Sequence, residues 1–484
     1  MLVVTRIIFR ADASTSIGAG HIKRCLSLAA KFRQNNADVH FICREITDNL
    51  TEEMRSLGYQ LHRFVESEDE AQDILERISQ VDLLVVDHYE LDQVWESKAR
   101  SFVKKIFVID DLANRSHDCD VLLDQNLNRV ASDYKQFVPK HCRLLIGPKY
   151  ALLAESYLRK RFPASLKKGK NTKKPKLLIS MGGSDLYNVT EFVLEALTSY
   201  KHTLEITALM KGTFVRNGYP HTVRVVEHIN DLSGLILDAD IAIGAGGITA
   251  YERCCLGLPT LIITTAENQE PTATALDHCG AAKYLGSFEK ITKERLIASL
   301  DQLIADAETV KKMQKIALNV CDGYGVSRVL SELSADAINK VQLRPATMND
   351  AELILEWQQD PSTRQYARNI SVPTREEHFK WMFEKLSDPG CLFNIVLYDD
   401  KPAGVLRYDY MQDKNHYFEI SILISPTHRR LGIAKAALKI GRQIFYDLSF
   451  YAEVHPDNKP SRDLFLQAGY MSCSSKGYVE EAHV

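Results

Sequence analysis

Short apolar runs alternate with amphipathic segments through the first 340 residues, and this alternation limits the fold more than any other feature. The apolar runs include Thr5–Arg10, Val39–Cys43, Leu83–Asp87, Lys105–Ile109 and Val121–Asp124. Segments with the helical period lie between several of them, as at Ile22–Gln34 and Glu68–Ile78. This βαβ rhythm predicts an α/β fold with a mostly parallel, doubly wound sheet.

A basic stretch interrupts the rhythm at Arg159–Lys176, which contains two prolines and lacks apolar periodicity. Such a stretch is typical of a solvated linker, with a phosphate-binding patch as the alternative. A second βαβ series follows, with later strands at Glu205–Met210, Val223–Val226, Ile241–Gly244 and Thr260–Thr264. We therefore predict two doubly wound domains, residues 1–160 and 175–340, arranged as a two-domain cleft enzyme.

The pattern changes at Val341, where strands become grouped instead of alternating with helices. Helix-like segments come first, and strand-like runs, a helix, a further strand and a last helix follow. In chain order these are Ala351–Gln359, Arg375–Leu386, Phe393–Tyr398, Gly404–Tyr410, Phe418–Ile424, Gly432–Phe445, Phe450–Val454 and Pro460–Ala468. The grouping predicts an α+β domain at residues 341–484, with a boundary near residue 340.

Composition excludes several classes of function. Among the 484 residues, 60 basic and 63 acidic side chains give a net charge of -3, so we expect no nucleic-acid partner and no membrane partner. The longest apolar runs are far shorter than the roughly 18 residues of a transmembrane helix, and the first residues read as a strand rather than a signal peptide. The ten cysteines are scattered without a Cys-x-x-Cys pair, which favours reduced thiols in the cytoplasm over disulfides or structural zinc.

A glycine-rich turn after the first strand is the first candidate site. Gly18 and Gly20 let backbone N–H groups approach a ligand, and the following helix start favours a phosphate or a developing oxyanion. His21 stands just inside that helix. A helix start disfavours a protonated imidazole, so His21 is a candidate general base, with a capping or core histidine as the alternative.

Two further glycine turns follow strands in the second βαβ series. One contains Gly183 and Ser184, and the other contains Gly246 and Gly247 before a helix. Two such turns in one domain favour a nucleoside diphosphate ligand. Glu252 lies one helical turn later, where a carboxylate can accept both ribose hydroxyls; a solvated helix residue is the alternative.

The first 340 residues resemble the UDP-sugar hydrolases of pseudaminic acid biosynthesis, which are relatives of the GT-B glycosyltransferases. The family pattern Arg-Ala-Asp-x-Ser-x-x-Ile-Gly-x-Gly-His-x-x-Arg-Cys-Leu is present as Arg10–Leu26. Further matching tracts are Val86–Asp92, Ile109–Arg115, Asp118–Asn126 and Gly147–Tyr150. The resemblance implies two GT-B-like domains and a catalytic cleft between them.

The resemblance also implies roles for individual residues. His21 is then the general base that deprotonates water, so the anomeric centre inverts, and Gly20 and Arg24 belong to the substrate site. The remaining implied contacts are Gly183, Ser184, Gly246, Gly247 and Thr249 with the diphosphate, Glu252 with the ribose, His228 and Ile229 with uracil, and Asn268 and Gln269 with the sugar. No metal is expected, because helix termini replace a cation here.

The tract Ile422–Ala434 in the last third of the chain is a strand, a turn and Arg-x-x-Gly-x-Ala at a helix start. With Asn458-x-x-Ser461-x-x-Leu464-Phe465 downstream, it resembles the GNAT family of N-acetyltransferases. The resemblance implies acetyl-CoA as cosubstrate, bound by Ile424, Arg429, Arg430, Leu431, Gly432, Ile433, Ala434, Asn458 and Ser461. Glu419 is a candidate base for the amine, with a sheet-edge carboxylate as the alternative. Phe465 departs from the family, because many members carry a tyrosine acid there.

The two resemblances describe consecutive steps of one route. Together they imply N-acetylation of the 4-amino group of UDP-4-amino-4,6-dideoxy-N-acetyl-β-L-altrosamine, followed by hydrolysis of the product to UDP and the free sugar. The partners expected are a UDP-sugar and acetyl-CoA, and the sequence does not give the oligomeric state. One alternative is a GT-B glycosyltransferase fused to an unrelated acetyltransferase. Another is a nucleotide-sugar-binding regulator with a CoA-sensing domain.

Overall fold

A computed structural model describes residues 5–14, 18–65, 68–165, 174–182, 185, 187–227, 229–334, 340–412 and 416–482 of the chain. The chain divides into two compact units, Met1–Val326 and Ser327–Val484. The division falls ahead of the boundary near residue 340 that the sequence predicts. The assignment of three domains at 1–160, 175–340 and 341–484 stays a prediction.

The first part of the first unit is built on a parallel sheet with the strand order β3-β2-β1-β4-β5-β6-β7. The strands are β1 Arg6–Ala11, β2 Asp38–Cys43, β3 Gln60–Arg63, β4 Val81–Asp87, β5 Val103–Ile109, β6 Val121–Asp124 and β7 Arg143–Ile146. The helices are α1 Gly20–Gln34, α2 Asp48–Ser56, α3 Glu68–Ile78, α4 Gln93–Ala99 and α5 Glu155–Ser165. The central strands are buried along nearly their whole length, which explains their continuous apolar runs.

The second part of this unit repeats the plan with a parallel sheet ordered β10-β9-β8-β11-β12-β13. Its strands are β8 Lys176–Ser180, β9 Glu205–Leu209, β10 Thr222–Val226, β11 Ile241–Gly244, β12 Thr260–Thr264 and β13 Lys283–Ser287. Its helices are α6 Val189–Leu197, α7 Ser233–Asp238, α8 Ile248–Cys255, α9 Glu270–Cys279, α10 Lys293–Ala305, α11 Ala307–Val320 and α12 Gly325–Leu333, the last of which continues into the second unit.

The predicted linker at Arg159–Lys176 is wrong in its first part, because α5 continues to Ser165. Arg161 explains why this basic segment is ordered: its guanidinium donates to the carbonyl oxygens of Cys255, Leu318 and Cys321 at 2.7–2.9 Å. These carbonyls lie at the ends of α8 and α11, where no intrahelical donor remains. Residues 166–173 of the predicted linker lie outside the described residues.

The second unit contains a mixed sheet ordered β14-β15-β16-β17-β18-β20-β19. The strands are β14 Val341–Pro345, β15 Cys391–Tyr398, β16 Lys401–Tyr410, β17 Phe418–Ile424, β18 Phe450–Glu453, β19 Met471–Ser472 and β20 Gly477–Glu480. The helices are α13 Ala351–Gln359, α14 Pro361–Arg364, α15 Arg375–Leu386, α16 Ile433–Ile444 and α17 Lys459–Gln467. The predicted α+β arrangement is confirmed. The sequence reading missed the strands β14, β19 and β20 and the short helix α14, and β14 precedes the helices that were predicted to come first.

One strand pair of this sheet is parallel and incomplete. β17 and β18 pair only at Phe418 with Phe450 and Glu419 with Tyr451. Beyond these positions no ladder pairing joins the described parts of the two strands, so β17 continues towards Ile424 without β18 beside it. A gap therefore opens in the sheet immediately before the turn that leads into α16.

Within the described residues, no helix combines the length and apolarity needed to cross a lipid bilayer.

Candidate active sites

The strand order of the first sheet brings three aspartates towards one edge. β1 lies beside β4, and β4 lies beside β5, so the carboxyl ends of all three strands meet there. Asp12 follows β1, Asp87 ends β4 and Asp111 follows the end of β5. The start of α1, with His21 in its first turn, faces the same edge, which is where ligands bind in open parallel sheets.

His21 is buried and paired with Asp87. Its Nδ1 lies 2.5 Å from Oδ1 of Asp87, and Arg24 binds the same carboxylate through Nε at 2.6 Å and Nη2 at 2.5 Å. Asp87 thus fixes the ring orientation and occupies Nδ1, which leaves Nε2 as the position that accepts a proton.

The charge of Asp87 is stabilised by its neighbours. Burial alone raises the pKa of the Asp87 carboxyl, but the charges of Arg24 and His21 and their hydrogen bonds lower this pKa below its ordinary value. Asp87 is therefore ionised at neutral pH and stabilises the imidazolium that forms when His21 takes a proton.

Tyr89 connects His21 with the second part of the unit. Its ring packs edge-on against His21 with centroids 4.6 Å apart, and its hydroxyl accepts a hydrogen bond of 3.2 Å from Nδ2 of Asn268. Burial and the nearby Asp111 carboxylate raise the pKa of Tyr89, so its hydroxyl remains protonated and able to donate.

A cavity of about 230 Å³ opens beside these residues. It is lined by Asp12, His21, Arg44, Glu45, Asp87, His88, Tyr89 and Glu90. His88 donates from Nε2 to Asp12 at 3.1 Å and accepts from the Glu90 N–H at Nδ1, so both of its ring nitrogens are occupied. Among the two histidines of the cavity, His21 is thus the one with a ring nitrogen left for chemistry.

The glycine turn at Gly244–Gly247, which precedes α8, is stabilised by a buried arginine. Arg253 Nη2 donates to the carbonyl oxygen of Ala245 at 2.5 Å, and Nη1 donates to Oγ1 of Thr249 at 3.3 Å. A Cβ at Gly244 would lie 2.5 Å from Nη1 of Arg253 and 2.8 Å from the carbonyl oxygen of Ser180. Position 244 therefore requires glycine, and the turn leads directly into the N-terminus of α8.

The side chain of Gln269 is hydrogen-bonded to the backbone of the same turn. Its Oε1 accepts from the N–H groups of Gly246 at 3.3 Å and Thr265 at 3.2 Å, and Nε2 donates to Oγ1 of Thr265 at 3.3 Å. The predicted sugar contact of Gln269 stays a prediction. Asn268, beside it, is exposed and reaches Tyr89.

One carboxyl oxygen of Glu252 has no hydrogen-bond partner among the described residues. The Tyr157 hydroxyl hydrogen-bonds to this carboxyl group, but Oε2 is buried and has no hydrogen-bond partner among the described residues. Burial raises the pKa of Glu252 to about 7, and the hydrogen bond of Tyr157 and the charge of Arg253 limit the rise. A carboxylate with a free oxygen is suited to ligand hydroxyl groups.

The roles of several other predicted residues stay predictions. Gly183, Ser184 and His228 lie outside the described residues. Gly20 begins α1, Gly247 caps α8, and Ile229 is half-buried after β10.

The turn that is predicted to hold a pyrophosphate in the second unit contains two residues with left-handed backbone conformation. Arg430 and Gly432 both have positive φ, at 63° and 77°, and Gly432 is the residue before α16. Arg429 donates to the Ile424 carbonyl oxygen at 3.3 Å and to Oγ of Ser362 at 2.6 Å, which ties the turn to α14. Leu431 is exposed, so the N–H groups at the start of α16 face an open surface.

The predicted base Glu419 is part of an ion-pair cluster. Arg368 binds both carboxylate oxygens of Glu419, with Nη1 at 3.1 Å from Oε2, and also binds Oε2 of Glu453 at 2.9 Å. Glu419 and Glu453 lie on β17 and β18, where these strands separate. The hydrogen bonds with Glu419 raise the pKa of Arg368 further above its ordinary value, so Arg368 keeps its positive charge beside the two carboxylates.

The downstream motif has a structural explanation of its own. Asn458 caps α17, with Oδ1 accepting from the Ser461 N–H at 3.2 Å. Phe465 is 4% exposed and packs against Tyr470 and Tyr478, with ring centroids 5.2 and 6.0 Å away. Phe465 is thus a core residue here, and the two neighbouring tyrosines are equally buried.

The sequence reading gave no role to Asp87, Tyr89, Arg253 or Arg368. Asp87 carried a usable signal, because an aspartate ending an apolar strand beside the first strand must face the same edge as His21. Arg368 carried none, since it lies in an irregular segment between α14 and α15. Within the described ranges, no group of three or more His, Cys, Asp or Glu side chains is arranged to hold a metal ion.

Different parts of the chain are similar to different known proteins. Residues 340–471 match the family model of the acetyltransferase (GNAT) domain. An uncharacterised protein of Methanocaldococcus jannaschii is 25% identical over 391 residues, which cover 77% of each chain. The UDP-2,4-diacetamido-2,4,6-trideoxy-β-L-altropyranose hydrolase of Campylobacter jejuni is 28% identical over 283 residues, covering 56% of this chain and 96% of the hydrolase.

The crystal structure of MurG from Acinetobacter baumannii covers 68% of this chain and 99% of its own, with a TM-score of 0.53 at 14% identity. This likeness confirms the predicted GT-B-like fold. The homology to the hydrolase and the GNAT model confirm that the chain combines the two predicted relationships, and both indicate an enzyme.

Proposed function

We propose that the first 340 residues hydrolyse a UDP-sugar, UDP-2,4-diacetamido-2,4,6-trideoxy-β-L-altropyranose, to UDP and the free sugar. The observation that carries this proposal is the pairing of His21 with Asp87 and Arg24 at the cleft edge. A buried, oriented imidazole is the group that general-base activation of water requires. The homology to the Campylobacter jejuni hydrolase supports the choice of substrate.

The proposed reaction is a single displacement by water. Nε2 of His21 takes a proton from water, and the water oxygen attacks the anomeric carbon while the bond to the UDP oxygen breaks. Asp87 stabilises the resulting imidazolium, and the N–H groups at the start of α8 stabilise the negative charge on the departing UDP. Attack from the face opposite to UDP inverts the anomeric centre.

The second unit is proposed to acetylate the 4-amino group of the precursor UDP-amino sugar with acetyl-CoA. The turn from Arg429 to Gly432 is expected to hold the pyrophosphate at the start of α16, beside the gap between β17 and β18. Glu419 is the proposed base for the amine nitrogen, which attacks the thioester carbonyl carbon and releases the CoA thiolate. The GNAT family match supports this assignment.

Both activities are tested by incubating the full chain with the UDP-4-amino sugar and acetyl-CoA and following the products by NMR. We expect CoA release first and then UDP and a diacetamido sugar, which is the precursor expected in pseudaminic acid synthesis. UDP release that requires a sugar or lipid acceptor would instead favour a glycosyltransferase. Turnover of neither substrate would favour a binding protein.

A further inference from the structure

Asp111 occupies a fixed position at the end of β5. The preceding Asp110 turns inward, where its Oδ2 accepts from the N–H groups of Leu112 at 3.2 Å and Ala113 at 2.8 Å. The carbonyl oxygen of Asp111 itself accepts from Nη2 of Arg129 at 3.1 Å. The backbone is thereby held from both sides, and the Asp111 side chain is directed towards Arg24 and Tyr89.

The two carboxylate oxygens of Asp111 differ in their surroundings. Oδ2 lies 3.4 Å from Nη1 of Arg24 and accepts a hydrogen bond of 3.4 Å from the Tyr89 hydroxyl. Oδ1 is buried and has no hydrogen-bond partner among the described residues. The side chain as a whole is 18% exposed. One oxygen is therefore desolvated without compensation, which is unfavourable for a charged group.

Both neighbours of Asp111 belong to the proposed catalytic site. Arg24 binds the carboxylate that orients His21, and Tyr89 packs against His21 while it bonds to Asn268. The free oxygen of Asp111 therefore belongs to the same group of side chains as the proposed general base. A negative oxygen at this place attracts a hydrogen-bond donor and repels the diphosphate.

We propose that Asp111 binds the substrate directly, its Oδ1 accepting a hydrogen bond from an acetamido N–H of the bound sugar. This inference rests on the proposed UDP-sugar hydrolase function. It makes Asp111 a specificity residue that favours amide-bearing sugars over sugars with an ester at the same position, since an ester oxygen has no hydrogen to donate.

The test compares amide and ester ligands in the full chain. Binding is measured by calorimetry in His21→Ala, which prevents turnover, and in His21→Ala with Asp111→Ala. The ligands are the diacetamido UDP-sugar and two analogues, each with one acetamido N–H replaced by an ester oxygen. We expect one analogue to bind His21→Ala about 10- to 150-fold more weakly, the range for a hydrogen bond to a charged group. The double variant should lose this discrimination.

If Asp111 acts only by positioning Tyr89, the three ligands should show a different pattern of affinities. If Asp111 only positions Tyr89, the double variant will bind all three ligands more weakly by the same factor and keep any preference for the amide. That result, or equal binding of all ligands by His21→Ala, would overturn the proposal. His21→Ala with Tyr89→Phe serves as control, because it removes the Tyr89 hydroxyl but should retain the preference.

The same data separate this inference from the proposed reaction. If the wild-type chain releases no UDP but the amide preference is present and depends on Asp111, the hydrolase function fails and the inference stands. If the wild-type chain hydrolyses the diacetamido substrate and the preference is absent, the inference alone fails. If His21→Ala binds none of the ligands, the assignment of Asp111 to a bound sugar is wrong.

Discussion

The imidazole Nδ1 of His21 lies 2.5 Å from Oδ1 of Asp87, a residue 66 positions away in the chain. Arg24, one helical turn after His21, binds the same carboxylate. The three side chains form a buried unit in which each charge has a partner. This arrangement gives the predicted base a fixed orientation and gives Arg24 a structural role at the same carboxylate.

Replacing His21 with alanine should abolish UDP release from the diacetamido sugar while CoA release by the second unit continues. Loss of a general base costs about 10²–10⁴-fold in rate. The two products are measured in parallel, UDP by chromatography and CoA by a thiol reagent. Hydrolysis within tenfold of the wild-type rate would remove His21 from the role of base.

Asp87→Asn should slow hydrolysis and also lower the stability of the first unit. Removing one partner of a buried ion pair costs about 3–5 kcal/mol, whereas an exposed pair contributes about 0–1 kcal/mol. Asp69→Asn is the control, because Asp69 pairs with Lys98 at the surface. Urea unfolding measures both variants. Equal stabilities would show that the buried carboxylate contributes no more than a surface one.

The stabilisation from Asp87 should also depend on pH. The pKa of Asp87 is lowered in the folded chain, so its contribution is fully present above the unfolded value of about 3.9 and is lost as the pH falls towards the folded value. The difference between wild type and Asp87→Asn should therefore narrow below pH 4. A constant difference from pH 7 to pH 3 would contradict this account.

Glu252 should make UDP-sugar binding pH-dependent. Burial raises the pKa of this carboxyl to about 7 in the free protein, and ribose hydroxyls donate best to the ionised form. Affinity for UDP-N-acetylglucosamine, whose diphosphate does not titrate in this range, should rise between pH 6 and pH 8. Glu252→Gln should remove the pH dependence, and Glu252→Ala should weaken binding by about 1.5–3 kcal/mol. If calorimetry shows the same affinity across this pH range and in both variants, Glu252 has a structural role instead.

Glu419→Gln and Glu453→Gln form a matched pair for the acetyltransferase reaction. Each removes one carboxylate that binds Arg368, but only Glu419 is proposed to take a proton from the amine. Acetyl transfer should fall about 10²–10⁴-fold in Glu419→Gln and stay within tenfold of wild type in Glu453→Gln. The measurement is the steady-state rate of CoA release by the wild type and by each of the two variants. A similar loss in both variants would mean that the cluster acts as a structural support and that the base is another group.

Gly432→Val should abolish acetyl-CoA binding and leave UDP release from an acetylated substrate intact. Gly432 has a φ of 77°, which a β-branched residue adopts at a cost, and it adjoins the N–H groups of α16. Gly469→Val controls for the strain, because Gly469 has a φ of 98° and equally open space around it. Calorimetry with acetyl-CoA should separate the two variants. Equal weakening in both would assign the effect to backbone strain.

Most helices and strands of the fold could be predicted from local patterns in the sequence. The strands Val121–Asp124, Ile241–Gly244 and Phe418–Ile424 and the helix Arg375–Leu386 have the bounds that the sequence predicts, because apolar periodicity and turn residues are local signals. The edge strands Gln60–Arg63 and Arg143–Ile146 were missed, since partly exposed strands of four residues carry little periodicity.

The sequence by itself determined the two doubly wound series, the glycine turns, and the candidates His21, Glu252 and Glu419. Only the tertiary structure decided how these residues are used. Strand order places Asp87 against His21, the fold of an irregular segment brings Arg368 onto Glu419, and the turn before α9 directs Gln269 towards the Gly246 backbone. The physical reason is that composition and period fix which elements form, whereas the partner of a charged side chain depends on distances between elements far apart in the chain.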